Sequence, residues 1–318
     1  MNNPIIDLKD LSKFYGNKKA VDKLNLQIYS GEIFGLLGPN GAGKTTSILM
    51  MLGLTEPTSG SATVCGHDAT RNPLEVKKVV GYMPDNVGFY PDMTAVENLC
   101  FIAELNGTFG QQAKTLAYEL LQTVGIADVA NSKTSTFSRG MKQRLGLAEV
   151  LIKKPQVIIL DEPTLGIDPS GVNDFLKLIQ KLSKEQNLTV LMSSHHLHQV
   201  QRVCDRVGIF VDGKMMVEGP IESLAQKLQL DRGFKTIIEV NNPEFTTLSV
   251  ESSLNTIDGI STVAFEENKI SIHSTTDVTA QVVRKLVQSD ANILSVNRNG
   301  YTLDDIYSKY FDNDNLKI

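Results

Sequence analysis

Gly38-Pro39-Asn40-Gly41-Ala42-Gly43-Lys44-Thr45-Thr46 fits the pattern G-x-x-x-x-G-K-[ST] at every fixed position. The apolar run Ile33 to Leu37 reads as a buried strand entering this stretch, and Thr46 to Leu52 reads as a helix leaving it. Glycines at 38, 41 and 43 allow a turn tight enough to aim successive backbone N–H groups at phosphate oxygens. The N-terminus of the outgoing helix adds its positive dipole end. Lys44 is placed to reach the β- and γ-phosphates of a nucleotide, and the Thr45 hydroxyl to bind Mg²⁺. The bland alternative is a glycine-rich strand-to-helix turn, which has no need of all the fixed positions at once.

Outward from that loop, 318 residues suffice for one large α/β domain and a smaller one, at about 150 residues per domain. A net charge of -5 with 21% charged residues argues against a nucleic-acid partner. The three cysteines, Cys65, Cys100 and Cys204, are scattered without C-x-x-C spacing, so neither a disulfide framework nor a zinc site is expected. Met1-Asn2-Asn3-Pro4 does not read as a secretory signal, and no apolar run approaches the ~18 residues a membrane span needs. The expectation is a cytosolic protein, soluble or held at a membrane only through something else.

Along the chain, Ile5 to Leu8 and Leu24 to Ile28 read as strands separated by a turn at Tyr15-Gly16-Asn17. Ala62 to Cys65 is a short strand, and Val79 to Asp85 a strand cut off by Pro84. Helical spacing from Thr94 to about Ala130 predicts a helical insertion. Ser138 caps a helix that runs to Ile152, and Val157 to Leu160 has the continuous apolar character of a strand buried on both faces. A helix at Asn173 to Lys184, a strand at Leu188 to Ser193 and a helix at Leu197 to Cys204 follow. Strands Val207 to Val211 and Lys214 to Val217 join through Asp212-Gly213 as a hairpin. Past Gln229 to Gly233 the pattern becomes strand Lys235 to Val240, helix Val250 to Ile257, strands Ser261 to Phe265 and Lys269 to His273, helix Val278 to Gln288, strand Ile293 to Val296 and helix Leu303 to Phe311. That β-α-β-β-α-β order predicts a ferredoxin-like α+β domain.

In an open parallel sheet, ligands bind beyond the carboxyl ends of the strands. Here three such ends carry Gly38 to Thr45, Asp161-Glu162 and His195. With Phe137-Ser138-Arg139-Gly140-Met141, Val157 to Pro163, Gly166-Ile167-Asp168 and Ser193-Ser194-His195 in order, residues 4 to 228 resemble the ATP-binding-cassette (ABC) ATPases. The resemblance implies an α/β P-loop NTPase of the ABC type over residues 1–229, with an antiparallel β subdomain and a helical insertion at about 86–136; the α+β domain read from its element order follows over 230–318.

The resemblance further implies that Gly38, Asn40, Gly41, Gly43, Lys44, Thr45 and Thr46 hold ATP, with Tyr15 stacking on adenine; plain packing is the alternative for Tyr15. Thr45, Asp85 and Asp161 would serve Mg²⁺, Glu162 would be the general base toward the attacking water, and His195 would sense the γ-phosphate alongside Lys44. His195 and His198 lie one helical turn apart, so a metal pair there is the competing reading. Ser138 and Gly140 would meet ATP held by a different chain, so a working site needs two copies head to tail. The usual signature is L-S-G-G-Q, from which Phe137, Arg139 and Met141 depart; Asp85 stands where the family usually has glutamine.

The segment Pro84 to Pro91 and the tail Leu303 to Tyr307 look like the exporter branch that serves ABC-2-type permeases, and also like the cassette ATPase of nitrous oxide reductase copper-site maturation. The implied protein is a transporter's ATPase subunit, a homodimer on the cytoplasmic face of the membrane held there by a separate permease. A soluble cassette ATPase working on ribosomes or DNA is the alternative. The C-terminal domain carries no catalytic constellation and reads as regulatory or dimer-stabilising.

Overall fold

The computed structural model describes residues 3–241, 254–266, 268–298, 303 and 305–307. The chain divides into two compact units, 1–219 and 220–318. The division falls ahead of residue 229, because a helix the sequence reading did not anticipate, α8 (Ile221–Arg232), clusters with the later elements.

The first unit is built around a six-stranded sheet in the order β10-β9-β3-β8-β7-β6. These strands are β3 (Ile33–Leu37), β6 (Val80–Met83), β7 (Val157–Leu160), β8 (Thr189–Ser194), β9 (Arg206–Val211) and β10 (Lys214–Gly219). All neighbours pair in parallel except β10, which returns antiparallel to β9. Strand β7 shows why its sequence is continuously apolar. Ile158 and Leu160 enter one hydrophobic core while Val157 and Ile159 enter the other, so each side chain of the pleat is buried.

The first of those cores packs the sheet against α3 (Ala95–Leu105), α4 (Gly110–Thr123), α5 (Arg139–Leu151) and α6 (Pro169–Gln186), through residues such as Leu99, Leu121, Leu147 and Phe175. The second joins it to α1 (Lys44–Met51), α2 (Pro73–Val79) and a four-stranded antiparallel sheet of order β2-β1-β4-β5. That sheet comprises β1 (Ile6–Tyr15), β2 (Lys18–Ile28), β4 (Ser59–Val64) and β5 (His67–Asp68). Strand β1 runs well past Leu8. Asp10 takes a left-handed φ of 45° and the pairing with β2 slips there, which breaks the alternation that marks a strand in sequence. Helix α2 carried a usable sign in Pro73, the first helical residue after Asn72. Helix α7 (Leu197–Gln201) stops short of Cys204, whose sulfur packs against Gly35 of β3.

Two caps fix the helices that matter for the site. Thr94 and Glu97 form a reciprocal capping box at the start of α3, and Ser138 accepts from the Met141 N–H at the start of α5, as its sequence predicts.

In the second unit the sheet order is β12-β13-β11-β14, with β11 (Phe234–Val240), β12 (Ile260–Glu266), β13 (Lys269–Ser274) and β14 (Ile293–Asn297) all antiparallel. Helix α9 (Thr279–Gln288) joins a core of Ile238, Ile270, Ile272, Val282 and Leu286. This strand order is that of the split-βαβ arrangement. The helices expected at 250–257 and 303–311 lie partly outside the described residues.

Helix α5 rests on β6 at a glycine. A Cβ added to Gly81 would stand 2.4 Å from Val150 Cγ1 and 2.8 Å from the Val150 carbonyl oxygen. Gly81→Ala is therefore expected to lower the unfolding free energy by about 1–3 kcal/mol through overpacking, read from urea denaturation; unchanged stability would show that α5 is not seated there.

Candidate active site

The turns at the carboxyl ends of β3, β7 and β8 converge on one cavity of about 510 Å³. Its lining brings together Tyr15, Asn40, Gly41, Gly43, Lys44, Thr45, Thr46, Asp85, Asp161, Glu162 and His195, with Lys18, Ala20, Pro39 and Leu165 added by the fold. Gly38 sits just behind, its N–H bonded to the Ser194 carbonyl at 3.3 Å. A larger opening, about 670 Å³, is lined by Lys78, Gln111, Glu119 and Lys153 among others, and holds none of these groups. Volume alone would have chosen wrongly; the converging polar groups identify the site.

The glycine-rich loop can be tight only because it lacks side chains at two contacts. Gly43 has φ +107°, and a Cβ there would stand 2.2 Å from the Ala20 carbonyl oxygen; one on Gly38 would meet the Phe210 carbonyl oxygen at the same distance. The Gly213 N–H closes the loop from behind by donating to the Ala42 carbonyl at 2.9 Å.

Lys44 is 5% exposed, and its ammonium donates to the carbonyls of Gly38 at 2.6 Å and Pro39 at 3.1 Å. It also faces Glu162 Oε1 at 3.3 Å, a charge contact and not an aligned hydrogen bond. Glu162 Oε2 meets His195 Nδ1 at 2.9 Å. Glu162 has φ 47°, in the left-handed region that a side chain usually avoids, a departure that clusters at functional sites. Its N–H donates to Ser193 Oγ at 3.0 Å, and the same hydroxyl donates to Asp161 Oδ1. Asp161 Oδ2 in turn accepts from Thr45 Oγ1 at 2.9 Å.

Thr45 hydroxyl and the carboxylates of Asp161 and Asp85 form an all-oxygen donor set, which suits Mg²⁺. Among the described residues no group of three His, Cys, Asp or Glu side chains is disposed to hold a metal by itself. The fit is thus to an ion shared with phosphate oxygens, the usual habit of Mg²⁺. Burial first, then the charges of Asp161 and Asp85, pushes the Tyr82 phenol up to about 12. His196 lies with its ring centroid 3.9 Å from that of His195, and burial followed by its neighbour's charge lowers its pKa.

Ser138 and Gly140 lie outside the cavity, on the first turn of α5. Sequence reasoning passed over two residues. Ser193 is fully buried and bonded to both carboxylate residues, a role that its motif alone does not reveal. In sequence Arg139 is only a departure from the usual signature, since its carbonyl partners lie 26 and 54 residues away, beyond any local signal.

The ABC transporter family pattern matches residues 21–165. The bacitracin transport ATP-binding protein of Bacillus licheniformis is 42% identical over 223 residues, covering 70% of this chain and 72% of the relative. An uncharacterized ABC transporter ATP-binding protein of Bacillus subtilis, YcbN, is 34% identical over 317 residues, covering 98% of each. Among solved structures, a dimeric ATP-binding cassette in a post-hydrolysis state, bound to ADP and phosphate, has a TM-score of 0.62 and 26% identity over 68% of this chain and 98% of that one.

Removing the shared hydroxyl should be costly for a small change. Ser193→Ala leaves the Glu162 N–H without its acceptor and Asp161 Oδ1 without its donor. A loss of about 1–3 kcal/mol is expected in denaturant unfolding, and no loss would show that neither bond matters to the fold.

Proposed function

This chain belongs to the ATP-binding subunits of ABC transporters, ATPases that work with membrane permeases, and from that premise we propose how its residues divide the work. One observation carries the proposal: Lys44, Glu162 and His195 form a continuous chain of contacts beside the Thr45–Asp161 pair, all in one cavity behind a glycine loop.

ATP binds with its phosphates along Gly38 to Thr46, where Asn40, Gly41 and Gly43 line the cavity, and with adenine against Tyr15, half exposed at the mouth. Lys44 exchanges its carbonyl contacts for phosphate oxygens. Thr45, Asp161 and Asp85 hold Mg²⁺, which when bound neutralises phosphate charge. Glu162 takes a proton from the attacking water through Oε1, the oxygen that makes no hydrogen bond, while His195 orients the other oxygen.

Ser138 and Gly140 serve the nucleotide of a second copy, which makes the working unit a head-to-tail homodimer. Their place outside the cavity and the dimeric cassette among the solved relatives support this. The likeness to transport ATP-binding proteins supports a place on the cytoplasmic face, docked to a permease chain; none of the described helices is long and apolar enough to cross a membrane. The likeness to a bacitracin transport protein makes an antibiotic of that kind the cargo class to try first. The narrower likeness to copper-site maturation gains no support from three separate free cysteines. No observation favours ribosomes or DNA. The second unit regulates turnover or steadies the dimer.

Glu162→Gln is expected to keep ATP affinity while kcat falls by about 10²–10⁴-fold, and to retain a multi-span permease when purified from solubilised membranes. Near-normal turnover would remove Glu162 from the proposed role, and recovery without any membrane protein would remove the permease. Asp85→Gln should retain or raise Mg-ATPase activity, a folded but inactive variant being the contrary result. Deleting residues 234–318 is expected to spare ATP binding but weaken dimerisation or regulation, and unchanged dimerisation with unchanged regulated turnover would count against that role.

A further inference from the structure

Arg139, third residue of the signature, is used by nothing in the catalytic reading, yet its guanidinium reaches two loops at once. Nη2 donates to the Asp85 carbonyl at 2.7 Å and Nε donates to the Leu165 carbonyl at 3.2 Å. Nη1 approaches Asn86 Oδ1 at 3.4 Å. The stem of the side chain lies over Gly166, where an added Cβ would stand 3.4 Å from Arg139 Cγ.

The same stripe of α5 continues along both loops, since residues three apart share a helix face. An ideal Cβ on Gly140 would be 3.6 Å from Ile167, in the loop after β7. One on Gly146 would be 2.9 Å from Val87 and 3.1 Å from Met83, at the end of β6 and in the loop after it. Gln143 lies between these positions in the stripe; it is fully buried, and neither atom of its amide has a hydrogen-bond partner. Between α5 and the two loops the other contacts are apolar, through Met83, Val87 and Ile167, and the directional ones come from Arg139.

We propose that Arg139 is a positioning residue: its guanidinium locks the loop bearing Asp85 to the loop leaving Glu162, and so sets the Asp85 carboxylate at the metal site and joins it to the helix carrying Ser138 and Gly140. Arginine suits this task because its planar fork donates in two directions from one rigid group, which a lysine ammonium on a flexible stem does not reproduce. The two shorter of its three contacts go to backbone carbonyls, so the lock holds the path of the chain itself. The inference rests on the reading of Asp85 as a Mg²⁺ ligand.

The test uses the full chain with Glu162→Gln throughout, so that ATP is not consumed, and titrates Mn²⁺ in the presence of ATP by the EPR signal of the free ion. Arg139→Met, which keeps the stem over Gly166, is expected to weaken Mn²⁺ binding about tenfold, with ATP affinity in EDTA and the melting temperature near those of the parent. Arg139→Lys should fall with it, and decides the matter on the same readout if the Met variant melts early. Hydrogen exchange at 84–88 and 164–168 should rise in both variants. Parental Mn²⁺ affinity in folded Arg139 variants, alongside weakened affinity in Asp85→Ala, overturns this inference alone. Parental affinity in Asp85→Ala overturns the Asp85 reading and this inference with it.

Discussion

The buried hydroxyl of Ser193 is the joint on which the site is assembled. It donates to one carboxylate residue, Asp161, and accepts from the backbone of the next, Glu162. A serine at the end of β8 thereby dictates how the chain leaves β7, its parallel neighbour. The turn at Glu162 adopts a left-handed conformation that such a residue tolerates only when its surroundings over-determine it, and the hydroxyl contributes to that. From there the order propagates outward: Asp161 to Thr45 on the glycine loop, Glu162 to Lys44 and His195. Three strand ends become one polar surface because a single hydrogen-bonded path runs through them.

A second layer of organisation comes from α5. Its N-terminus leaves Ser138 outside the cavity while its flank lies against the two loops that carry cavity residues. The contact through Gly146 is close because glycine brings backbone near to neighbour, and close contacts transmit displacement with little slack. The helix is therefore placed to relate events in its own cavity to whatever its exposed end meets.

Much of this was legible in the sequence because it is local. The fixed spacing of the glycine loop, the four-residue apolar run of β7 and the serine cap of α5 each declare themselves within a few residues. The cavity lining follows once parallel topology brings the ends of β3, β7 and β8 together. What stayed hidden is either irregular or distant. The slip at Asp10 disguised the length of β1, and polar sequence concealed α2 and α8. The double use of Ser193 and the reach of Arg139 depend on pairs far apart in the chain, and a serine or an arginine looks the same in sequence whether it faces water or holds a loop.

Tyr15 lies at the mouth of the cavity with 52% of its surface exposed, and the chain contains no tryptophan. In optical terms the protein is nearly dark at long excitation wavelengths. An indole placed at position 15 would be its single long-wavelength chromophore, seated at the mouth where the adenine contact is proposed. The exposure of one aromatic ring thus gives the molecule a site at which nucleotide arrival and departure could be watched as light, against no background from the rest of the fold.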